Sequence, residues 1–259
     1  MTAPVPLAFA EDGRVFGDKA ARLGTAIRAG LPVPPGVAVA ASLAAAVAAA
    51  DQPAVVALLR SADLPPGHVA VRASAVDPGA VRATGGPLAR LNVTRTGIVD
   101  AIREIYQSGR TSGPVGIVIQ QLIDPLAAGV LLTGAPMAAP GEQVVEAAWG
   151  LGVVLDSSRI IPDRYRLAAD GGVLEQVPGD KDVRIALAAH GGTMEVAVSE
   201  ELRRVPCLRL RHLQQLHALA ARCRTTWPGD LELEFAVAPD EGVYLLQSLP
   251  QRPRAGITR

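Results

Sequence analysis

Two oxygen-bearing side chains, Glu234 and Gln247, are the first residues whose type and spacing suggest chemistry. Residues 231–237 (LELEFAV) predict a strand with Glu232 and Glu234 on one face, and residues 243–247 predict a second strand after the turn sequence APDEG. A hairpin of these strands would bring Glu234 and Gln247 close together. A carboxylate and an amide oxygen suit Mg²⁺, which takes oxygen ligands and keeps phosphate or water as the others. Solvated acids on an edge hairpin are the alternative that this stretch alone leaves open.

Two cations, Lys19 and Arg72, have sequence contexts that suit phosphate binding. Lys19 lies in the first turn of a helix predicted over residues 16–30, where it can reach a phosphate together with free backbone N–H groups or lie in solvent. Arg72 ends an apolar strand predicted over residues 68–73, and it needs a carboxylate or a phosphate as its partner. The glycine-rich segment 77–87 (DPGAVRATGGP) can fold over phosphates, although an ordinary surface loop fits it equally well.

The elements that must position these residues alternate between helical and strand patterns, with no internal repeat and no low-complexity linker. Helical spacing of apolar residues predicts helices over residues 42–50, 53–61, 92–107 and 208–225. Apolar and β-branched runs predict strands over residues 114–123, 128–133, 143–148, 165–174 and 182–188. We therefore expect a mixed α and β chain.

Composition narrows the class of protein. The 259 residues are 49% hydrophobic, which is enough for one large domain or two closely joined subdomains. Because 25 basic and 25 acidic residues cancel, the charge implies no nucleic-acid or membrane-surface partner. Cys207 and Cys223 lack metal-ligand spacing and are expected to be reduced thiols. The N-terminus has no signal-peptide pattern and the alanine-rich run 37–50 is too short to span a bilayer, so we expect a cytoplasmic protein.

In their order along the chain, several segments together resemble a known family. These segments are GDKAARLGTAIRAGLPVPPG, VAVRASA, GIVIQQLI followed by AGVLLTGAP, VVEAAWGLG, IIPDRYRL, LELEFAV and VYLLQSLP. They resemble the N-terminal nucleotide-binding domain of the pyruvate phosphate dikinase, phosphoenolpyruvate synthase and rifampin phosphotransferase family. The resemblance covers nearly the whole chain. It implies an α+β fold of the ATP-grasp type, with two α/β subdomains (residues 1–113 and 114–259) and a nucleotide cleft between them.

The resemblance also implies roles for particular residues and the cofactors ATP and Mg²⁺. Lys19 and Arg72 would contact ATP phosphates, and Gly85 would sit in the loop that covers them. Gln120 and the backbone near Leu122 would hold the adenine, and Glu146 would lie near the nucleoside. Glu234 and Gln247 would hold Mg²⁺.

Four departures from the family pattern bear on activity. Leu249 replaces the arginine of the usual Gln-Ser-Arg-Pro sequence, and Arg252 is the nearest substitute. Arg82 and Ala89 stand where the phosphate-covering loop usually has serine and threonine. Asp18 replaces a glycine beside Lys19, and Val153 stands where a glutamate commonly follows Gly-Leu-Gly.

Enzymes of this family pass phosphate to a histidine on a swivelling domain and then to substrate. The four histidines of this chain lie inside the nucleotide-domain match, and none has the Thr-Ser-His context of the carrier. The resemblance therefore implies an ATP-dependent phosphotransferase split over two polypeptides, with the phosphohistidine and substrate domains on a separate chain. A catalytically inactive nucleotide-binding, regulatory or protein-interaction module is the alternative.

Overall fold

The computed structural model describes residues 3–77, 88–108, 113–135, 139–157 and 159–251. The chain divides into two compact units, Met1–Leu122 with Leu187–Thr193 and Ile123–Ala186 with Met194–Arg259. The subdomain boundary between residues 113 and 114 stays a prediction, and the strand that follows it, Val115–Gln121, pairs within the sheet of the first unit.

The elements follow one another in a mixed order. The helices are α1 (Gly13–Phe16), α2 (Asp18–Arg28), α3 (Ala41–Ala48), α4 (Gln52–Leu59), α5 (Ile98–Gln107), α6 (Glu200–Arg203) and α7 (Leu210–Thr226). The strands are β1 (Val5–Pro6), β2 (Gly36–Val39), β3 (Val69–Ala75), β4 (Ala89–Val93), β5 (Val115–Gln121), β6 (Ala127–Leu132), β7 (Gln143–Trp149), β8 (Asp163–Leu167), β9 (Val173–Val177), β10 (Val183–Leu187), β11 (Thr193–Ala197), β12 (Leu231–Val237) and β13 (Val243–Pro250).

The first unit is built on an antiparallel sheet in the order β1-β2-β5-β3-β4. Strand β3 alternates its side chains, so that Val69 and Val71 enter the main core with α3, α4 and α5. Arg72 and Ser74 project to the opposite face. A second, smaller core packs α2 on the sheet there, through Leu23 and other apolar residues.

The second unit is built on an antiparallel sheet in the order β13-β12-β6-β7-β8-β9, and β10 and β11 form a separate pair. Helix α7 contacts β12 and β13, and Leu213, Leu216 and Leu219 are buried, as the helical spacing predicted. The opposite face of this sheet carries the candidate metal ligands.

Two predicted elements were wrong, one at its start and one in its middle. The helix predicted over residues 92–107 begins only at Ile98, because Asn92 lies at the end of β4 with φ of 59°. Its buried amide nitrogen donates to the carbonyls of Ala188 and Gly192 at 2.7 and 2.8 Å, and its positive φ is incompatible with a right-handed helix. The strand predicted over residues 165–174 is interrupted by a turn in which Asp170 Oδ1 accepts from the Gly172 N–H at 2.9 Å.

No single helix among the described residues is long and apolar enough to cross a membrane. Helices α3 and α4 meet the length and composition criteria only as a pair, which is bent by 118°. The apolar side chains of Leu43, Val47 and Leu58 in this pair belong to the core of the first unit.

Candidate functional site

Glu234 and Gln247 lie directly opposite each other on β12 and β13, so the predicted hairpin and its pairing are confirmed. Their register depends on a β-bulge, because Phe235 pairs with Leu245 and Glu234 pairs with Gln247, which leaves Leu246 as the extra residue. Leu245 is buried. Strict alternation would bury Gln247 as well, and the bulge instead brings Gln247 to the face that carries Glu234.

The pair belongs to a row of residues that crosses the sheet of the second unit. Glu234 is paired with Val130, Val130 with Glu146, and Glu146 with Arg164. Directly paired residues of antiparallel strands project to the same face, so Gln247 and these polar side chains share one side of the sheet. Strands lie about 4.8 Å apart, which puts the Glu146 backbone about 10 Å from that of Glu234.

The donors at this hairpin fit magnesium. Opposite residues of an antiparallel pair have Cβ atoms about 5 Å apart, a spacing from which a carboxylate and an amide oxygen can reach one ion. In the described part of the chain, no group of three or more His, Cys, Asp or Glu side chains is arranged to hold a metal ion. Mg²⁺ is commonly held by one or two protein oxygens together with phosphate and water, so Glu234 and Gln247 would be enough protein ligands for it.

The next row on the same face contains the main departure from the family pattern. Leu249 lies opposite Glu232, which is half-buried. A leucine donates no hydrogen bond, so this row presents a carboxylate without the arginine that the family resemblance leads us to expect at position 249.

In the first unit, Arg72 and Lys19 are carried by neighbouring elements, β3 and α2. Both side chains are half-buried. Ala89 on β4 lies directly opposite Arg72, so the position at which the family resemblance leads us to expect a hydroxyl is next to the predicted phosphate arginine.

Sequence reasoning missed Ser74, which connects these two elements. The buried Ser74 Oγ accepts a hydrogen bond from the Ala20 N–H at 3.0 Å, in the first turn of α2. The sequence signal was present, because Ser74 follows Arg72 by two residues on a strand and therefore shares its face.

The predicted adenine contacts lie at the end of β5. Gln120 is buried, and its side-chain nitrogen donates to the Pro34 carbonyl at 3.1 Å. The Leu122 N–H donates to the His68 carbonyl at 3.3 Å. Gly85 lies outside the described residues, as do Arg82 and Arg252.

A buried ion pair in the second unit joins Lys181 to Asp163, the first residue of β8. The Asp163 carboxylate also accepts from the backbone N–H groups of Gly179 and Cys207, both at 2.7 Å. Burial, followed by the neighbouring Asp163, raises the pKa of the Cys207 thiol well above its usual range. A thiol held protonated in this way is a poor nucleophile, so this cluster is structural.

Comparison with known families shows that these two sheets and their helices belong to an ATP-binding domain. The family described as "Pyruvate phosphate dikinase, AMP/ATP-binding domain" matches residues 54–256, and the chain belongs to this family. The expected family and fold class are thereby confirmed, and the domain is an ATP-binding one.

Curated relatives agree with this assignment over about half of the chain. The prodigiosin synthesizing transferase PigC of Serratia marcescens is 32% identical over 149 residues, which are 56% of this chain and 17% of the relative. A probable phosphoenolpyruvate synthase of Methanothermobacter thermautotrophicus is 29% identical over 137 residues, 52% of this chain and 20% of the relative. A rifampicin phosphotransferase of Streptomyces sp. is 28% identical, over 52% of this chain and 16% of the relative. The matched regions therefore span a fifth or less of these relatives.

Solved structures with a partial likeness include the biotin carboxylase–β,γ-ATP complex of Campylobacter jejuni. That likeness has a TM-score of 0.45 and 15% identity, and it covers 92% of this chain and 41% of the other. The D-alanine–D-alanine ligase of Coxiella burnetii has a TM-score of 0.39 and 12% identity, with coverage of 90% and 47%.

Proposed function

We propose that this chain binds Mg-ATP and donates a phosphoryl group to a histidine carrier on another chain, as the nucleotide-binding part of a split phosphotransferase. The observation that carries the proposal is the Glu234–Gln247 pair, held in one row with Glu146 in a chain of an ATP-binding family. The relatives named phosphoenolpyruvate synthase and rifampicin phosphotransferase support the transfer of phosphorus-containing groups.

In this proposal the cationic side chains contact the phosphates, and the side chains with oxygen ligands hold the metal ion. Lys19 and Arg72 neutralise the phosphates, and a guanidinium suits a phosphate because it donates two parallel hydrogen bonds. Glu234 and Gln247 would hold Mg²⁺, which supplies further charge neutralisation when it is bound. Gly85 would let backbone amides approach the phosphates closely.

The nucleoside would be held by different residues. The backbone near Leu122 would pair with the adenine edge, and the hydrogen bond from Gln120 to the Pro34 carbonyl would keep that strand end in place. Glu146, exposed in the row of the metal ligands, would accept from the nucleoside hydroxyls. These roles stay proposals for mutagenesis.

The reaction would need positioning more than covalent chemistry from this chain. A P–O bond of the nucleotide breaks, and a P–N bond forms to an imidazole nitrogen of the carrier histidine. The departing phosphate oxygen gains negative charge, which the lysine and arginine stabilise. No nucleophile from the described residues is required, since the carrier supplies it.

A second candidate function is a non-catalytic nucleotide-binding or regulatory module. The observation that favours it is the pair of losses at Leu249 and at Ala89, which is directly opposite Arg72. Removing one preorganised transition-state donor typically costs about 10²–10³ in rate, so two losses would leave little turnover while binding persisted.

Calorimetric titration of ATP with and without Mg²⁺ tests the proposal, with Lys19→Ala and Glu234→Ala as variants. We expect micromolar binding that needs Mg²⁺ and weakens in both variants. Absence of heat and of any thermal shift at millimolar ATP would overturn both candidate functions that involve nucleotide.

A phosphoryl-transfer assay distinguishes the two candidate functions once ATP binding is established. A chain with a Thr-Ser-His carrier domain encoded nearby would be the acceptor to purify. Labelled phosphate that appears on its histidine only when both chains and Mg-ATP are present supports the phosphotransferase, and binding without transfer supports the module.

A further inference from the structure

We propose that Ser74 is a positioning residue for phosphate recognition, because it fixes the helix of Lys19 to the strand of Arg72. The proposal rests on the proposed function, in which these two cations contact ATP phosphates. Ser74 itself is fully buried and would not touch the nucleotide.

The start of α2 requires a glycine. The N-cap residue Gly17 has φ of 83° and ψ of 161°, a backbone conformation that residues other than glycine rarely adopt. A Cβ at Gly17 would lie 1.9 Å from the carbonyl oxygen of Ser74, so the backbones meet there without room for a side chain. The helix therefore cannot use the usual N-cap serine, threonine or aspartate.

Ser74 replaces the missing cap from a distant strand. The first N–H groups of a helix have no partner within the helix, and a buried one left unpaired is costly. The Ser74 Oγ accepts from the Ala20 N–H at 3.0 Å, which satisfies one of these groups. The residue next to Lys19 is thus hydrogen-bonded to β3.

The same strand carries Arg72 at a fixed separation. Arg72 and Ser74 are two residues apart and project to one face, so their Cα atoms are about 6.7 Å apart. The neighbouring strand supports this arrangement, because a Cβ at Gly116, paired with Ser74, would lie 2.3 Å from the Phe16 carbonyl oxygen. The segment leading into α2 is therefore pressed against both β3 and β5.

Charge explains why such a contact would matter for binding. Lys19 and Arg72 would neutralise the same triphosphate, and two cations can do so together only if the elements that carry them keep a fixed separation. A fixed hydrogen bond at the adjacent residue keeps the lysine helix from shifting away. The binding affinity for ATP, which has three phosphates, should depend on this contact, whereas the affinity for AMP, which has one, should depend on it far less.

The experiment compares ATP with AMP, each titrated calorimetrically in the presence of Mg²⁺. For Ser74→Ala we expect about tenfold weaker ATP binding and a change of about twofold or less for AMP. Ser74→Thr, which keeps the hydroxyl, should restore ATP affinity. The matched control is Ser108→Ala, which removes a serine hydrogen bond to the Ile105 carbonyl (2.7 Å) at the end of α5 and should leave both affinities unchanged.

A merely structural cap would behave differently. Equal weakening of ATP and AMP in Ser74→Ala, or no change in either, would overturn the inference while the wild type still binds ATP. Failure of the wild type to bind ATP would instead overturn the proposed function, and this inference with it. If Ser74→Ala does not fold, hydrogen exchange of the wild type decides. ATP should then slow exchange of the Ala20 amide more than AMP does, and equal protection would contradict the role.

Discussion

Ala89 and Arg72 are direct partners across β4 and β3, which puts a methyl group next to the predicted phosphate arginine. The family resemblance leads us to expect a hydroxyl residue at that position. We predict that Ala89→Thr strengthens ATP binding by about three- to tenfold, because the new hydroxyl can donate to a phosphate beside Arg72. The control is Ala89→Val, which has the same shape without the hydroxyl. Equal affinities in the two variants, measured by calorimetry, would contradict a phosphate site at this position.

The proposed Mg²⁺ ligand Glu234 gives a second prediction. Glu234→Gln keeps the size of the side chain and removes its charge, so Mg²⁺-dependent ATP binding should weaken by about ten- to hundredfold. Titration of Mg²⁺ at fixed ATP measures the change. Glu201→Gln, at an exposed acid of α6, is the matched control and should leave the titration unaltered. An unchanged Mg²⁺ dependence in Glu234→Gln would remove this residue from the metal site.

Restoring the family arginine gives a third prediction. Leu249→Arg places a guanidinium opposite Glu232, which can orient it along the sheet face. We expect ATP affinity to rise by about tenfold, and any phosphoryl transfer to a carrier histidine to rise by about 10²–10³. Leu249→Met controls for size without charge. A rise in affinity with no transfer would favour the non-catalytic module.

The buried ion pair gives a prediction about stability. Asp163→Ala removes the partner of Lys181 and leaves two buried backbone N–H groups unpaired, so we expect a loss of about 3–5 kcal/mol in the free energy of unfolding. Asp100→Ala breaks the more exposed pair with Arg103 and should cost about 1 kcal/mol or less. Denaturant titration distinguishes the two, and similar losses would show that the Lys181 pair contributes little.

Alkaline pH gives a fifth prediction. Burial raises the pKa of Tyr106 to about 12, so the folded protein holds the phenol proton more tightly than the unfolded chain does. The resulting stability is complete below the ordinary value of about 10 and is lost as the pH rises from 10 towards 12. Tyr106→Phe should flatten this part of the stability curve. It should also cost about 1 kcal/mol at neutral pH, because the phenol hydroxyl donates to the Val115 carbonyl. If denaturant titrations show that Tyr106→Phe leaves the pH dependence of the free energy of unfolding unchanged above pH 10, the raised pKa of Tyr106 is contradicted.

The sequence predicted those parts of the site that follow from strand alternation and turn chemistry. LELEFAV and APDEG were enough to predict the hairpin, because both strands are short and their turn is local. Strict alternation would pair Glu234 with Leu246, so the direct pairing with Gln247 depends on a bulge that the pattern does not predict. Side-chain contacts between distant segments were not predictable in this way. Ser74 and the Ala20 N–H to which it is hydrogen-bonded are 54 positions apart in the chain. The side-chain amide of Asn92 is hydrogen-bonded to Ala188 and Gly192, which are 96 and 100 residues away.

The extra residue in β13 also affects how the hairpin can change length. Loss of one residue between Val243 and Leu246 would turn the bulge into a regular ladder and leave Gln247 opposite Glu234. The ladder after Gln247 has no extra residue, so loss of a residue there would move Leu249 to the buried face. Because of the bulge, the turn side of the hairpin can lose one residue while Glu234 and Gln247 stay opposite each other.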